Sequence, residues 1–598
     1  MQTKPIHSFH IPVMGLAYTI DSPVKVARYG ISSVVSIIED RLIEMMRGYY
    51  YNQINEPYEP IDEKQADYRT KRITDYLNLL NKIVKSQFEE LRNSAFEKGS
   101  ELVKYFEMLP DNSSLKSLYD KMLTTKDEFE KLNIQDKLRQ LIKPGSIDVN
   151  IMTKLDKNNF DKQGNIIENG SDALTSLRAY AESDLHDSSI IFSAGMNPRL
   201  FNYIDQFEDF KQQPDGSFKK KVIIKVSDFR SALIQGKYLA KKGIWVSEFR
   251  IESGLNCGGH AFATDGFLLG PILEEFKTRR KELIDSLFDL YSKSVKENTP
   301  TDIPPVRITV QGGIGNAQEQ EFLLNYYEVD ATGWGSPFLL VPEATTVDAH
   351  TLDLLEKSKE EDITLSHNSP LGVRFNYLRR TTSEIEKLQR IAFNKPGSPC
   401  TEKFLQTNTE FTDKPICTAS IEYQKTKIEE IKNQDLSLAE KEKQIEAVLS
   451  KECLCIGLSN SAALNYNTFF LKNLTAVTIC PGPNIAYFDK KVSLKEMVDH
   501  IYGRIDLLAN KYRPDLFTKE LQLYVDYFKE QVDELTESFQ EKKQKYVVEF
   551  KKNLEEGIDY YKKLAPALSE YKIGNKFEEG LKNAEKQLQK LFSKELSV

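Results

Sequence analysis

The segment Glu252-Ser253-Gly254-Leu255-Asn256-Cys257-Gly258-Gly259-His260 holds the residue types most able to do chemistry. Adjacent glycines Gly258 and Gly259 let a backbone come close to a flat ligand and deliver the next side chain at a fixed position. That side chain, His260, can accept or donate a proton near neutral pH. Taken alone, the pattern also fits a histidine that merely holds a loop together. Two further glycine segments add weight: Gln311-Gly312-Gly313-Ile314-Gly315 and Trp334-Gly335-Ser336-Pro337. Glycine turns that open helices expose backbone N–H groups, and such groups gathered together cradle a phosphate. Plain tight turns are the simpler alternative, but two at once point to a bound phosphate group.

A second constellation is made of thiols. Cys400, Cys417, Cys453, Cys455 and Cys480 put five of the six cysteines within 81 residues. Grouped soft thiolates are the ligands of zinc or an iron–sulfur cluster. Yet no Cys-x-x-Cys pair exists, and the gaps of 17, 36, 2 and 25 match no standard motif. Buried apolar cysteines are the alternative.

These residues need elements to position them. Candidate strands cover 10–19, 30–38, 147–152, 188–195, 221–227, 243–253, 306–313 and 329–336, with helical patterns at 173–182, 198–207, 231–241, 268–295 and 316–327. Strands alternating with helices imply parallel pairing through right-handed crossovers. Eight such units are the count of an α/β (β/α)₈ (TIM) barrel, although periodicity alone leaves a doubly wound sheet open. On a barrel, the Gly-Gly-His loop follows strand six and the glycine turns follow strands seven and eight. That is the C-terminal face, where barrel active sites sit.

The chain divides into 1–40 (barrel strands one and two), 41–142 (a helical insertion), 143–380 (the rest of the barrel), 381–490 (a cysteine-rich, irregular region) and 491–598 (a helical C-terminal extension). Within the extension, Leu521, Val525, Phe528, Val532, Leu535 and Phe539 step by 4, 3, 4, 3, 4 and share one helix face. The rest of the chain is expected to cover that stripe, with self-association into a homo-oligomer the next expectation.

With 598 residues, the chain is too long for one ordinary domain. At 40% hydrophobic and 28% charged it can bury a sizeable core. Lys+Arg minus Asp+Glu is 81 − 89 = −8, with a pI near 5.7, which argues against nucleic acid or an acidic membrane surface as partner. No run of 18 apolar residues is present, and the segment MQTKPIHSFHIPVMG has no basic region followed by an apolar core. The expectation is a cytoplasmic protein with a small-molecule substrate.

The order of these pieces resembles the nitronate monooxygenases (2-nitropropane dioxygenase-like flavoproteins), relatives of flavin-dependent enoyl-acyl-carrier-protein reductases. KVIIKVSDFRSALIQGKYLAKKGIWVSEFRIESGLNCGGH looks like that family's strand five to Gly-Gly-His loop. ITVQGGIGNAQE looks like its phosphate turn and WGSPFL like its strand-eight turn, while VNIM resembles its strand-three element and LSHNSPLGVRFNYLRR its polar segment after helix eight. The likeness covers about residues 10–40 and 145–380. Two departures stand out: Met14-Gly15-Leu16-Ala17 replaces the Ala-Pro-Met turn after strand one, and Asn256-Cys257 replaces the Glu-Ala before Gly-Gly-His. The resemblance implies FMN held by Asn150, Gly258, Gly259, Gly312, Gly313, Ile314, Gly335 and Ser336. It also implies His260 at the flavin face, with Glu252, Asp265 and Lys154 as further polar candidates. Three functions follow: oxidation of a small carbanion-type substrate such as an alkyl nitronate with O2, reduction of an enoyl thioester with NAD(P)H as donor, or a flavin-binding scaffold without turnover.

Overall fold

The computed structural model describes residues 5–595 apart from 152–155, 162, 296–301, 471–473, 509–511, 538–540 and 575. Eight strands, β1 (Phe9–Ile11), β2 (Ser32–Ser36), β3 (Ile147–Ile151), β4 (Ser188–Phe192), β5 (Lys220–Val226), β6 (Val246–Glu252), β7 (Arg307–Gln311) and β8 (Ala331–Gly333), close in sequence order into a barrel. All pairs are parallel, including β1 with β8. β1 is shorter than its apolar run because Pro12, which has no N–H for the ladder, follows Ile11. The helical pattern over 268–295 divides at Arg279 into Leu269–Thr278 and Arg280–Val295.

Strand β6 shows how sequence alternation builds the barrel. Phe249 and Ile251 are fully buried in the main core, while Glu248 and Arg250 lie on the opposite face. Inside, Glu248 Oε1 accepts from Arg250 Nε at 2.9 Å and Thr309 Oγ1 at 2.7 Å, and Arg307 Nη1 reaches its other oxygen at 3.0 Å. Burial pushes the Glu248 carboxyl up, but Arg250 and Arg307 more than offset this and hold it at about 2. Val34, Ile191 and Ile223 form a small apolar cluster of their own, with Val13 against it.

Residues 41–142 carry helices on the barrel's outer side. The longest, Tyr68–Asn93, buries Ile73, Tyr76, Leu77 and Leu80 at helical spacing and packs on the crossover helix Asp172–Glu182. The region 381–490, expected to be irregular, is so over long stretches but also contains the helices Thr382–Ala392, Ile421–Asn433 and Leu438–Ser450. Before these, β9 (Ile363–Ser366) and β10 (Phe375–Leu378) form an antiparallel hairpin. No helix among the described residues is long and apolar enough to cross a membrane.

Three long helices, Leu516–Glu537, Glu541–Glu570 and Phe577–Glu595, close the chain. Leu521, Val525, Phe528 and Val532 are buried within this one chain, as expected. The Leu535 side chain and Phe539 lie outside the described residues. Glu520, on the first of these helices, reaches the barrel: it accepts from Ser253 Oγ at 2.7 Å, Leu269 N at 2.8 Å and Tyr561 OH at 3.1 Å. Burial pushes its carboxyl from 4.5 up to about 7. Because the folded chain holds that proton more tightly than the unfolded one, this contribution to stability is full below about pH 4.5 and is lost as pH rises through 7, on the order of 3 kcal/mol at most. Glu520→Gln should therefore shrink the loss of stability between pH 5 and pH 8 in denaturant titrations. An unchanged pH dependence in the variant would show that another group is responsible.

Candidate functional site

The described strand-end residues singled out from the sequence for catalysis or cofactor binding meet at the barrel's C-terminal mouth. Asn150 from β3, Gly258, Gly259 and His260 after β6, Gly312, Gly313 and Ile314 after β7, and Gly335 and Ser336 after β8 all line one cavity of about 1280 Å³. Glu252 also lines it, and its Oε1 is taken by Lys225 Nζ at 3.2 Å and Gln311 Nε2 at 2.6 Å. Asp265 is exposed at the rim, and Lys154 lies outside the described residues.

The turn after β7 bends through Gly312 and Gly313, at φ +110° and +76°, a region that side chains with a Cβ rarely adopt. The helix Ala317–Asn325 starts directly after it, capped by Asn316 Oδ1 on Glu319 N at 2.9 Å. Among the described residues, the amides of Gly313, Ile314, Gly335 and Ser336 have no hydrogen-bond partner. Four N–H groups on two adjacent turns, one of them opening a helix, are what a phosphate requires.

Asn256 supplies the second test of the implied cofactor. It is 1% exposed, lines the cavity beside Gly313, and neither its Oδ1 nor its Nδ2 has a partner among the described residues. Asn150 Oδ1 is likewise buried without one. A buried amide left unpaired costs about 1–3 kcal/mol, so these groups fit a flat ligand whose rim both donates and accepts. The pyrimidine edge of a flavin is such a rim. The residues present therefore fit FMN, with the two turns suited to its phosphate and Asn150 to its ring edge, while Asn256 lies against the strand-seven turn.

His260 is held through its loop, its ring and its Nε2. Its loop is strapped to β10 through Ala261 N to Arg374 O and Asn376 N to Gly259 O, both at 2.9 Å. Its ring lies 4.9 Å from that of Phe375, and its Nε2 is 2.7 Å from Ser369 Oγ. Ser369 Oγ accepts from Leu371 N and has a second lone pair for Nε2–H of His260; in that tautomer Nδ1 is the basic nitrogen of the neutral imidazole. Gly258 has a different duty from its neighbour. A Cβ there would lie 2.5 Å from Cys480 O, whereas one on Gly259 would meet open space. The missing side chain at 258 admits the chain segment Cys480–Gly482 as a roof.

That roof went unread in the sequence, as did the contact of Ser369 with His260, although Pro481-Gly482-Pro483-Asn484 is a dense turn signal. In the sequence Asn256 stands out only as a departure from the family pattern, not as a residue of the site. Of the five clustered cysteines, Cys455 and Cys480 line the cavity. Burial pushes the Cys453 and Cys455 thiols up and brings Cys480 to about 12. Cys417 donates to Cys400, which lowers the Cys400 thiol to about 7. Among the described residues, no group of three or more His, Cys, Asp or Glu is placed to hold a metal ion. The expected zinc or iron–sulfur site at Cys400, Cys417, Cys453, Cys455 and Cys480 is thus not formed; burial keeps most of these groups as neutral thiols.

No protein-family profile and no curated protein sequence matches the chain. Among solved structures, FabK from Thermotoga maritima is similar at 15% identity and TM-score 0.29, covering 64% of this chain and 83% of that one. The enoyl reductase domain of MlnA from the macrolactin biosynthesis cluster of Bacillus amyloliquefaciens is similar at 15% identity and TM-score 0.33, covering 64% and 86%. Nitroalkane oxidase from Streptomyces ansochromogenes is similar at 9% identity and TM-score 0.34, covering 84% of this chain and 95% of that one.

Proposed function

We propose that the chain is an FMN-dependent oxidoreductase of the nitronate monooxygenase-like group, oxidising a small carbanion-type substrate such as an alkyl nitronate with O2. The observation that carries this reading is the unpaired polar lining of the cavity: the amides of two glycine turns, with Asn256 against the first of them, and Asn150 on β3. When bound, FMN supplies the electron-accepting chemistry that no side chain can.

The chain's own residues supply binding, proton handling and shelter. His260, with Ser369 on Nε2, is set to take a proton from a carbon acid or, once protonated, to orient an anion. The roof segment at Cys480 and Pro481 and the side chains of Tyr527 and Tyr546 line the mouth and narrow its opening to solvent.

A second reading is NAD(P)H-driven reduction of an enoyl thioester. It is favoured by the cavity's size, about 1280 Å³ against roughly 300–1,000 Å³ for a typical ligand pocket. It is also favoured by an apolar lobe of Ile38, Phe404, Leu405, Leu454 and Leu458, which a small nitronate leaves unused. The proposed partner in both readings is a small molecule.

Anaerobic mixing separates the readings. Bleaching of the flavin absorbance by a nitronate is expected; bleaching by NADH or NADPH alone would move the assignment to the second reading, and no bleaching by any of them leaves a scaffold. His260→Asn should keep flavin but lose about 10²–10⁴-fold in turnover of neutral nitroalkanes, which must be deprotonated. With preformed nitronates the loss should be smaller. Equal losses on both substrates would remove His260 from proton transfer. Gly335 is a clean probe of the phosphate turn, because a Cβ there comes no closer than 3.4 Å to Pro12. Gly335→Leu should leave the melting temperature near wild type while lowering FMN occupancy. Full occupancy in the variant would place the phosphate elsewhere.

A further inference from the structure

The turn after β7 is gripped from outside by the C-terminal part of the chain. Arg513 Nη2 donates to Gly313 O, Asn484 Nδ2 donates to Ile314 O at 2.8 Å, and His500 Nε2 donates to Gly315 O at 2.9 Å. His500 Nδ1 accepts from Leu507 N at 3.2 Å, which fixes the ring proton on Nε2. Three consecutive carbonyls are thus held by three side chains that lie 170 or more residues further along the chain. The grip is itself braced. Glu319, 1% exposed, takes Arg513 Nη1 and Leu516 N at 2.7 Å on one oxygen and Gly315 N at 2.8 Å on the other. Arg513 Nε is fixed on Asn484 Oδ1 at 2.6 Å. The same segment reaches the turn after β8, through Gly482 N on Ser336 Oγ at 2.7 Å and the His500 ring 5.9 Å from that of Trp334.

A trans peptide points its N–H opposite to its C=O. Holding Gly313 O on the Arg513 side therefore aims the Ile314 N–H away from Arg513, and Ile314 is a residue of the cavity wall whose amide has no partner among the described residues. We infer that Arg513, braced by Glu319 and Asn484, is a positioning residue that presents the strand-seven turn to the phosphate of the bound flavin. The C-terminal extension is accordingly part of the cofactor site. This inference rests on the FMN reading above, and it goes beyond that reading by assigning selectivity for the phosphorylated cofactor to residues outside the barrel.

The test compares FMN with riboflavin, which lacks the phosphate, by fluorescence titration of the flavin-free full-length chain. Wild type should bind FMN much more tightly than riboflavin. Arg513→Met should weaken FMN by about 10- to 100-fold, the scale of hydrogen bonds to a charged group, and change riboflavin by less than about threefold. Because Arg513→Met leaves the Glu319 carboxylate buried without its cation and so endangers folding, the double variant Glu319→Gln with Arg513→Met is the companion: the introduced amide oxygen is neutral and can still accept from a backbone N–H of Gly315 or Leu516. It should show the same selective loss. A folded variant whose FMN-to-riboflavin ratio matches wild type, or in which both ligands weaken equally, overturns the inference and leaves the FMN reading standing. Wild type that binds no FMN overturns the reading and the inference with it.

Discussion

A closed parallel barrel ends each strand with backbone groups that its own ladder cannot pair, and whatever satisfies them decides what the mouth can bind. Here the carbonyls are satisfied largely by distant parts of the same chain. Asn376 takes Gly259 O and also Leu255 O and Cys257 O, and the segment from Asn484 to Arg513 takes three more after β7. After β7, the amides of Gly313 and Ile314 keep no partner among the described residues. An anion-binding face is what remains when one side of a turn is fully hydrogen-bonded and the other is not.

The barrel interior holds an ionic layer of its own. Two arginines keep Glu248 ionised there. Breaking such a buried pair by removing one partner costs about 3–5 kcal/mol, so this layer fixes the barrel rather than serving the reaction. Around the cavity, the polar groups include amides, glycine turns, the imidazoles of His260 and His367 and the charged Asp265, Arg374 and Glu534, with the Glu252 carboxylate already shared by Lys225 and Gln311. Fixed donors of this kind suit a planar cofactor and a substrate whose charge changes during reaction.

The barrel is legible in the sequence because its signals are local. Each β-branched run followed by an amphipathic helix announces one unit, and the glycine turns sit at fixed places after strands six, seven and eight. The roof is not legible, since the contact of Ser369 with His260 spans 109 residues and that of Arg513 with Glu319 spans 194. No periodicity records such pairings. Helices Thr382–Ala392 and Leu438–Ser450 read as irregular chain although their signals are local. Neither has a buried residue, yet Ile385, Leu388 and Ala392 stand at helical spacing in the first, and Ser437 and Glu440 form a capping box that marks the start of the second. The cysteines mislead because sequence clustering says nothing of where thiols point.

An FMN site at the barrel mouth, completed by the chain's own C-terminal part, is the proposal on which the other readings turn. It is checked most simply by denaturing the freshly purified full-length chain and identifying the released chromophore by mass and absorbance. FMN, non-covalently held, is the expected result, at close to one per chain. A chain that releases FAD or no flavin, and that takes up no FMN on reconstitution, would contradict it.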